Sequence, residues 1–591
     1  MCGISGFFGR EDNKPIYVKT CLNEMEHRGP DDCSIVELDE IVMGTVRLSI
    51  RDSSEKANQP FVSSSGRWII TFNGELNNFQ QLRHELNRCW VTECDTEVLA
   101  ELFETYGKEG VRKLKGMYAI AAFDTYTDKL FLARDFPGIK PLYWTKTEIG
   151  AYIYASEFPA LLNTLKALDE DCKMTEAQVY EYLMYRDTLL EPNTLINSIK
   201  KVSPGEILEL SLDKEALSDK MSGVHEKNEP LDLERLFTKA ITSVIELKQK
   251  MGMFLSGGVD SSTVLSEMVS QGAEVEAFTL RYEKTGEFSY SEVPFSKYVC
   301  EFLNVPLHEV ILTEKDFIEL LPQALANQDG LSMDPTIVAY YALGEAAEKR
   351  GLKVVITGTG SDEIFGSYDW LHSDSIERFD HWMKSATTKS LLRMDEQVWK
   401  NISDSSFLDR KHKIETFMSV GGNLGDAIRL FGFYHLEADA LPRVDLGTMN
   451  SSVECRVPLL DQDFVQAALS MSPDKEKSLF RSLSKNRIPI EIQQRPKCGF
   501  PHPVFIWMKH GQLGRVAYDF LKISQLKDVI NFEELDKFLN DGSSLLGRNP
   551  SARLYDVGSS FWYIYSFALW CEIHKVRLPN LKKCKEVYYE N

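Results

Sequence analysis

A cysteine at position 2 becomes the amino-terminal residue once the initiator Met is removed, and its small side chain is compatible with that removal. The α-amino group freed by the cut has a reference pKa of roughly 7.7–8.0, so it can act as general base toward its own thiol. Cys2 would then supply nucleophile and base in one residue. A second candidate lies mid-chain, in FLSGGVDSS at 254–262. Gly257 and Gly258 let backbone N–H groups approach an anion closely, and a following helix would aim its positive end at the same point. Ser256, Ser261 and Ser262 add hydroxyl donors and Asp260 a carboxylate. A Walker loop ends in Lys-Ser or Lys-Thr; this one ends Asp-Ser-Ser, which disfavours transfer of the γ-phosphate. Each feature alone has an ordinary explanation, an incidental thiol or a glycine turn, so the surroundings decide.

MCGISGFFG is followed by HRGPDD (27–32), RLSIRD (47–52), FNGEL (72–76), CDTEVL (94–99) and ARDFPGIKPLY (133–143). Singly, Arg47 reads as a surface ion-pair residue, Asp95 as a helix cap and Asn73-Gly74 as a hairpin turn. As a series in this order, the motifs resemble the glutaminase domain of class II glutamine amidotransferases, in the asparagine synthetase branch. The resemblance implies that Arg47 grips the glutamine α-carboxylate and that Asp95 meets its ammonium end. It implies further that Asn73 and the Gly74 N–H form an oxyanion hole while Cys2 attacks the side-chain amide, with Glu75 helping to seat the substrate. Glutamine would give a thioester and ammonia, then glutamate. Two positions depart from the family, Asn77 where Tyr is usual and Phe136 where Arg is usual; neither carries the thioester chemistry.

The mid-chain loop resembles the pyrophosphate loop of enzymes that cleave ATP between its α- and β-phosphates. On that resemblance Asp260 binds Mg²⁺, with Asp362 of TGTGSDEIFGSY (357–368) as the second carboxylate. The adenine site would be lined around Phe254 and Leu280, with Thr357 and Gly358 near the ribose and phosphates. LPRVDLGTMNSSVECRVPLLD (441–461) and QRPKCGFPHPV (494–504) also match the synthetase domain, and Lys497 matches a lysine expected to touch phosphate or the adenylate. The resemblance covers essentially the whole chain.

Together these imply a ligase that uses glutamine, ATP and Mg²⁺ to amidate a small carboxylate through an acyl-adenylate, releasing AMP, pyrophosphate and glutamate. A buried passage between the domains is expected, because free ammonia in neutral water is mostly protonated and no longer nucleophilic. Aspartate leads as the carboxylate. Against it, Thr359 lies between two glycines where asparagine-forming members usually carry an acid, Ser291 stands where Asp is common, and Leu307-His308 where a His pair is common. A sugar acid, a peptide or a natural-product precursor is the alternative. A catalytically silent sensor of glutamine and ATP is a third reading, and Cys2, Asp260 and Asp362 together argue against it.

The elements that must hold these groups divide in two. Residues 2–212 are dominated by short β-rich runs such as GRWIITFNGE, YAIAAFD and KLFLARD, with helical spacing at FQQLRHELNRCW and TEVLAELFETYG. This predicts an α+β domain of layered antiparallel sheets with helices, the amino-terminal-nucleophile glutaminase fold that the resemblance implies. The charged stretch 213–229 reads as an exposed linker. Residues 230–591 alternate strand and helix around the loop, LKVVITGTG among the strands, which predicts an α/β parallel sheet followed by a helical C-terminal part.

A chain of 591 residues carrying 67 basic and 88 acidic side chains has a net charge of −21, which opposes attraction to nucleic acid or anionic lipid. No apolar run approaches the roughly 20 residues of a membrane-spanning helix, and no basic region precedes the apolar stretch at the amino terminus, so a cytoplasmic location is expected. The 11 cysteines are an odd number without CxxC pairs, which predicts reduced thiols. A homodimer is an expectation carried by the resemblance alone.

Overall fold

The computed structural model describes residues 1–186, 190–221, 232–245, 249–284, 291–330, 332–384, 388–394, 396–419, 422–496, 502–541, 552–579 and 581. Up to residue 220 its strands are β1 (Cys2–Phe8), β2 (Asp32–Glu37), β3 (Ile41–Arg47), β4 (Phe61–Val62), β5 (Trp68–Leu76), β6 (Gly116–Asp124), β7 (Lys129–Arg134), β8 (Tyr143–Lys146), β9 (Tyr152–Ala155), β10 (Lys200–Lys201), β11 (Glu206–Ser211) and β12 (Lys214–Lys220). They form two antiparallel six-stranded sheets, in the orders β10-β8-β9-β1-β3-β2 and β12-β11-β7-β6-β5-β4.

Alternation along each strand explains how the sheets stack. Cys2, Ile4 and Phe8 of β1 meet Ile69 of β5 and Ala119, Ala121 and Phe123 of β6 between the sheets. Phe7 turns the other way, toward Val18, Cys21 and Leu22 of the helix Lys14–Glu24. On the far side, Ile70 and Phe72 pack under Leu99, Leu102 and Phe103 of α1 (Asp95–Tyr106). The result is a helix–sheet–sheet–helix stack, with Cys2 at an edge of its central layer.

The second half contains β13 (Met251–Phe254), β14 (Val275–Tyr282), β15 (Leu307–Leu312), β16 (Val354–Ile356) and β17 (Glu454–Arg456). They form one wholly parallel sheet in the order β15-β14-β13-β16-β17. The chain runs outward from β13 through β14 to β15, then returns to the other side of β13 for β16 and β17. That reversal opens a crevice beyond the carboxyl ends of β13 and β16, where open α/β sheets take their ligands. The remaining chain is helical, ending in the helix Ala552–Ile573.

Three expectations are corrected. The stretch 213–229 does not start as a linker: Lys214–Lys220 is β12, a largely exposed edge strand paired with β11, and residues 222–229 lie outside the described residues. The helix read over FQQLRHELNRCW stops at Leu86, because Asn87 adopts the left-handed conformation (φ 46°) that ends helices. β17 interrupts a region read as helical. Lys497 lies outside the described residues.

Candidate functional site

Most of the sequence candidates line one of two clefts, while Asn73, Gly257, Gly258, Ser262 and Asp362 stand behind the linings. In the first, β1 and β3 pair so that Cys2 lies opposite Arg47. The lining comprises Met1, Cys2, Arg47, Arg51, Gln59, Gly74, Glu75, Asp95, Glu454 and Arg456 among others. The Cys2 backbone N–H donates to Asn73 Oδ1 at 3.2 Å. Because that N–H can only donate, it fixes the carboxamide with Asn73 Oδ1 toward the Cys2 backbone and leaves Nδ2 as the spare donor. Asn73 is 0% exposed and is not itself part of the cleft lining, and among the described residues Nδ2 has no partner. An orphaned donor on the residue bonded to the Cys2 backbone is a group that a developing oxyanion could use. Gly74 follows on β5, where a Cβ would come within 2.1 Å of Met117 O across the β5–β6 pair, so no side chain fits.

The thiol is not ionised by its surroundings. Burial pushes the Cys2 pKa above its ordinary value, and the N-terminal charge, Arg47 and a hydrogen bond with the Leu48 backbone only partly oppose this. A base is therefore needed. Arg47 is held by Asn58 Oδ1 at 2.6 Å, by Ser54 O at 3.3 Å and by Asp52 O. Asp95, the first residue of α1, accepts the Leu76 N–H at 3.0 Å. Glu75 takes ion pairs from Arg51 and from Arg456. Gln59 Nε2 lies 3.8 Å from Cys2 Sγ and 3.2 Å from Thr96 Oγ1.

The second cleft is a cavity of about 240 Å³ at the carboxyl ends of β13, β14 and β16. Of the residues expected there, Phe254, Ser256, Asp260, Ser261, Leu280, Thr357 and Gly358 line it. Gly257 and Gly258 make the turn into α2 (Val259–Ser270) without lining the cavity. Gly257 has φ +69°, and a Cβ on it would fall 2.6 Å from the Ser296 backbone nitrogen. Ser262 does not line the cavity: it is fully buried within α2, so the donor role read for it is not supported by its position.

Asp260 and Asp362 are brought together by a residue absent from the sequence reading. Lys477 Nζ lies 2.6 and 2.8 Å from the Asp260 oxygens, 2.7 Å from Asp362 Oδ1 and 3.1 Å from Ser361 Oγ. Burial would lower the pKa of this ammonium, but the two carboxylates more than offset it and hold it above its ordinary value. At the far end of the cavity, Arg443 spans Asp334 (2.8 Å), Thr336 Oγ1 (2.7 Å) and Asp439 (2.7 Å). Thr359 lines the same end and is hydrogen-bonded to Thr357 at 3.1 Å.

Buried ion pairs lock the halves together. Arg28 reaches Glu157 at 2.9 Å in its own domain and Asp445 at 2.8 Å in the other, and Asp445 also takes Lys140 at 2.8 Å. Lys201 meets Asp329 at 3.0 Å and Glu437 at 3.2 Å. A small cavity of mixed lining lies on the same boundary, with Met117, Tyr118 and Ile139 from one side and Val244, Val457, Leu460, Asp461 and Gln462 from the other. The departures Asn77 and Phe136 are in its wall.

The missed residues carried weak signals. Lys477 sits in PDKEKS, which reads as a solvated charged turn, and Gln59 precedes Pro60 in a loop. Glu454 and Arg456 look too polar for a buried strand.

A cysteine-led sandwich of two antiparallel sheets joined to a phosphate-loop parallel sheet defines a glutamine amidotransferase fused to a nucleotide-using synthetase. Residues 1–220 match the family model described as a glutamine amidotransferase domain, and residues 232–572 the model described as asparagine synthase. The chain belongs to the asparagine synthase family and is a glutamine-dependent ligase. It is similar to asparagine synthetase [glutamine-hydrolyzing] 1 of Bacillus subtilis, at 26% identity over 97% of each chain. It is 25% identical to asparagine synthetase 3 of the same organism, over 90% of this chain and 94% of that one. Amidase chyE of Penicillium rubens is 27% identical over 64% of this chain and 61% of its own length. Among solved structures, a glutamine phosphoribosylpyrophosphate amidotransferase of B. subtilis covers 50% of this chain and 70% of that chain, at 19% identity and TM-score 0.29. Among the described residues no helix is long and apolar enough to cross a membrane.

Proposed function

We propose that the chain transfers the amide nitrogen of glutamine to a small carboxylate that it first activates as an acyl-adenylate. The observation that carries this reading is the convergence of the loops after β13 and β16 on one cavity, with Asp260 on its wall and tied to Asp362 through Lys477. In the first cleft, removal of Met1 frees the Cys2 amine, already directed at Asn73 Oδ1, to take the thiol proton. Sγ attacks the glutamine amide carbon, the oxyanion receives hydrogen bonds from Asn73 Nδ2 and the Gly74 N–H, and ammonia leaves. Arg47 and Asp95 hold the ends of the amino acid, and water then releases glutamate from the thioester. In the second cleft, a carboxylate oxygen attacks the α-phosphorus of ATP, the bond to the β-phosphate breaks and pyrophosphate departs. Ammonia arriving across the domain boundary attacks the acyl carbon, and AMP leaves.

Among the described residues no group of three or more His, Cys, Asp or Glu could hold a metal by itself. Two carboxylates suit Mg²⁺, which takes one or two from the protein and the rest of its oxygens from phosphate and water. Asp260 and Asp362 would hold it, and its charge would offset that of the triphosphate.

Aspartate is the leading carboxylate. A different acid is favoured by one observation: Thr359 puts a neutral hydroxyl, bound to Thr357, on the cavity wall where an acid would serve an ammonium group. Substrate-dependent exchange of labelled pyrophosphate into ATP, run over a panel of acids beginning with aspartate, decides between them. Exchange with no acid in the panel would remove the adenylate step.

A further inference from the structure

The cleft around Cys2 is not built by the first domain alone. Glu454 and Arg456, both on β17 of the second domain, complete its wall. Arg456 is fully buried and uses its guanidinium in three directions: Nε donates to Glu454 Oε1 at 2.6 Å, Nη1 to Val244 O at 2.7 Å, and Nη2 pairs with Glu75. Glu75 is 3% exposed and is met from the other side by Arg51. Four charges thus alternate in sign through the cleft, Arg51, Glu75, Arg456 and Glu454, and while Met1 is in place its ammonium lies 3.3 Å from Glu454. Burial would raise the Glu454 pKa, but Arg456 and the N-terminal charge overcome it and hold the carboxyl well below its usual range.

A lysine cannot replace this arginine. Only a planar fork of five donors reaches two carboxylates and a carbonyl at fixed angles. β17 is fixed in turn, since its Cys455 pairs with Val355 of β16 and Arg456 O accepts the Thr357 N–H at 3.1 Å.

We infer that Arg456 is a positioning residue for the glutamine reaction, supplied by the synthetase domain and acting through Glu75. This rests on the reading of Cys2 as the glutaminase nucleophile. Without Arg456, Glu75 loses the ion pair that ties it to β17 of the second domain, so bound glutamine loses the wall that aligns its amide with Cys2.

The test compares Arg456→Gln, Arg456→Lys, Glu75→Gln and Arg456→Gln/Glu75→Gln in the full chain. Each is assayed for glutamate release and for amide formation from glutamine or from ammonium chloride. A positioning role through Glu75 predicts that Arg456→Gln lowers the ratio of kcat/KM for glutamine to that for ammonium by about tenfold or more, mainly through KM. Arg456→Lys recovers only part of this, and the double variant stands within about twofold of Glu75→Gln. Equal losses with glutamine and ammonium, or effects of the two substitutions that multiply, overturn the inference, because both mark a general structural role. A parent enzyme that releases no glutamate from glutamine overturns the Cys2 reading itself, and this inference with it. Parent turnover with unchanged variants overturns this inference alone.

Discussion

Replacing Lys477 by Met removes a cation that Asp260 and Asp362 share. Both carboxylates touch the same nitrogen, so they lie no more than two hydrogen-bond lengths apart. At a separation of about 5 Å and an effective dielectric near 20, two such charges repel by about 3 kcal/mol. This agrees with the roughly 3–5 kcal/mol typical when one partner of a buried ion pair is deleted. At about 2–4 °C per kcal/mol for a domain of this order, the melting transition of the second domain falls by roughly 6–12 °C at pH 7 and low Mg²⁺. A control identifies the cause. Millimolar Mg²⁺ raises the melting temperature of the variant more than that of the parent, because a bound cation would supply the positive charge that the variant lacks. Differential scanning calorimetry with and without Mg²⁺ measures both the deficit and its recovery. A variant that melts within about 2 °C of the parent, or Mg²⁺ shifts equal in the two proteins, would refute the shared-cation account of the site.

Asn73→Ala removes the orphaned Nδ2 donor and should lower the glutaminase kcat by about 10²–10³-fold with little change in KM, the signature of lost oxyanion stabilisation. Gly257→Ala forces a side chain into a left-handed position against the Ser296 nitrogen, and should abolish pyrophosphate exchange while glutamate release continues. Because burial holds the Cys2 thiol protonated, glutaminase kcat/KM should rise with pH through roughly 7–8 as the α-amine loses its proton; a flat profile contradicts the amine as base. Hydrogen bonding to Arg350, and then to Lys250, holds the pKa of the buried Glu276 carboxyl down to about 2, against its burial. A depressed carboxylate stabilises above its unfolded pKa of about 4.3 and loses that contribution as pH falls, so the melting deficit of Glu276→Gln should be present at pH 7 and shrink below about pH 4.

The groups that do the chemistry were legible because their motifs hold them to short stretches of backbone. Cys2 and Arg47 are paired across β1 and β3, and β5, which carries Asn73 and Glu75, comes to them from the second sheet of the stack, so a reading by motif places them together. The loops after β13 and β16 were equally legible, since each is a strand, a glycine turn and a helix start in sequence. What escaped was supplied from far away. Lys477 stands 217 positions from Asp260, at the start of a six-residue helix in a left-handed conformation (φ 50°) that nothing in PDKEKSLF announces. β17 is three residues long and two of them are charged, so neither alternation nor apolar content marks it as a buried strand. Its charges are tolerated there only because Glu75, Glu454 and Arg456 satisfy one another across the domain boundary, a fact of tertiary structure that no window of sequence contains. Ser262 shows the converse. The motif suggests a third hydroxyl, but helical spacing turns it into the core while Ser261 faces the cavity.

The account stands on nitrogen leaving glutamine at Cys2 and being captured at the ATP site of the same chain. Glutamine carrying heavy nitrogen at its amide, supplied with ATP, the accepted carboxylate and excess unlabelled ammonium, tests this in one reaction analysed by mass spectrometry. The account predicts heavy amide product with AMP and glutamate formed in equal amounts, and loss of the label but not of AMP formation in Cys2→Ala. Product bearing the unlabelled nitrogen from the parent enzyme, or ADP in place of AMP, would contradict it.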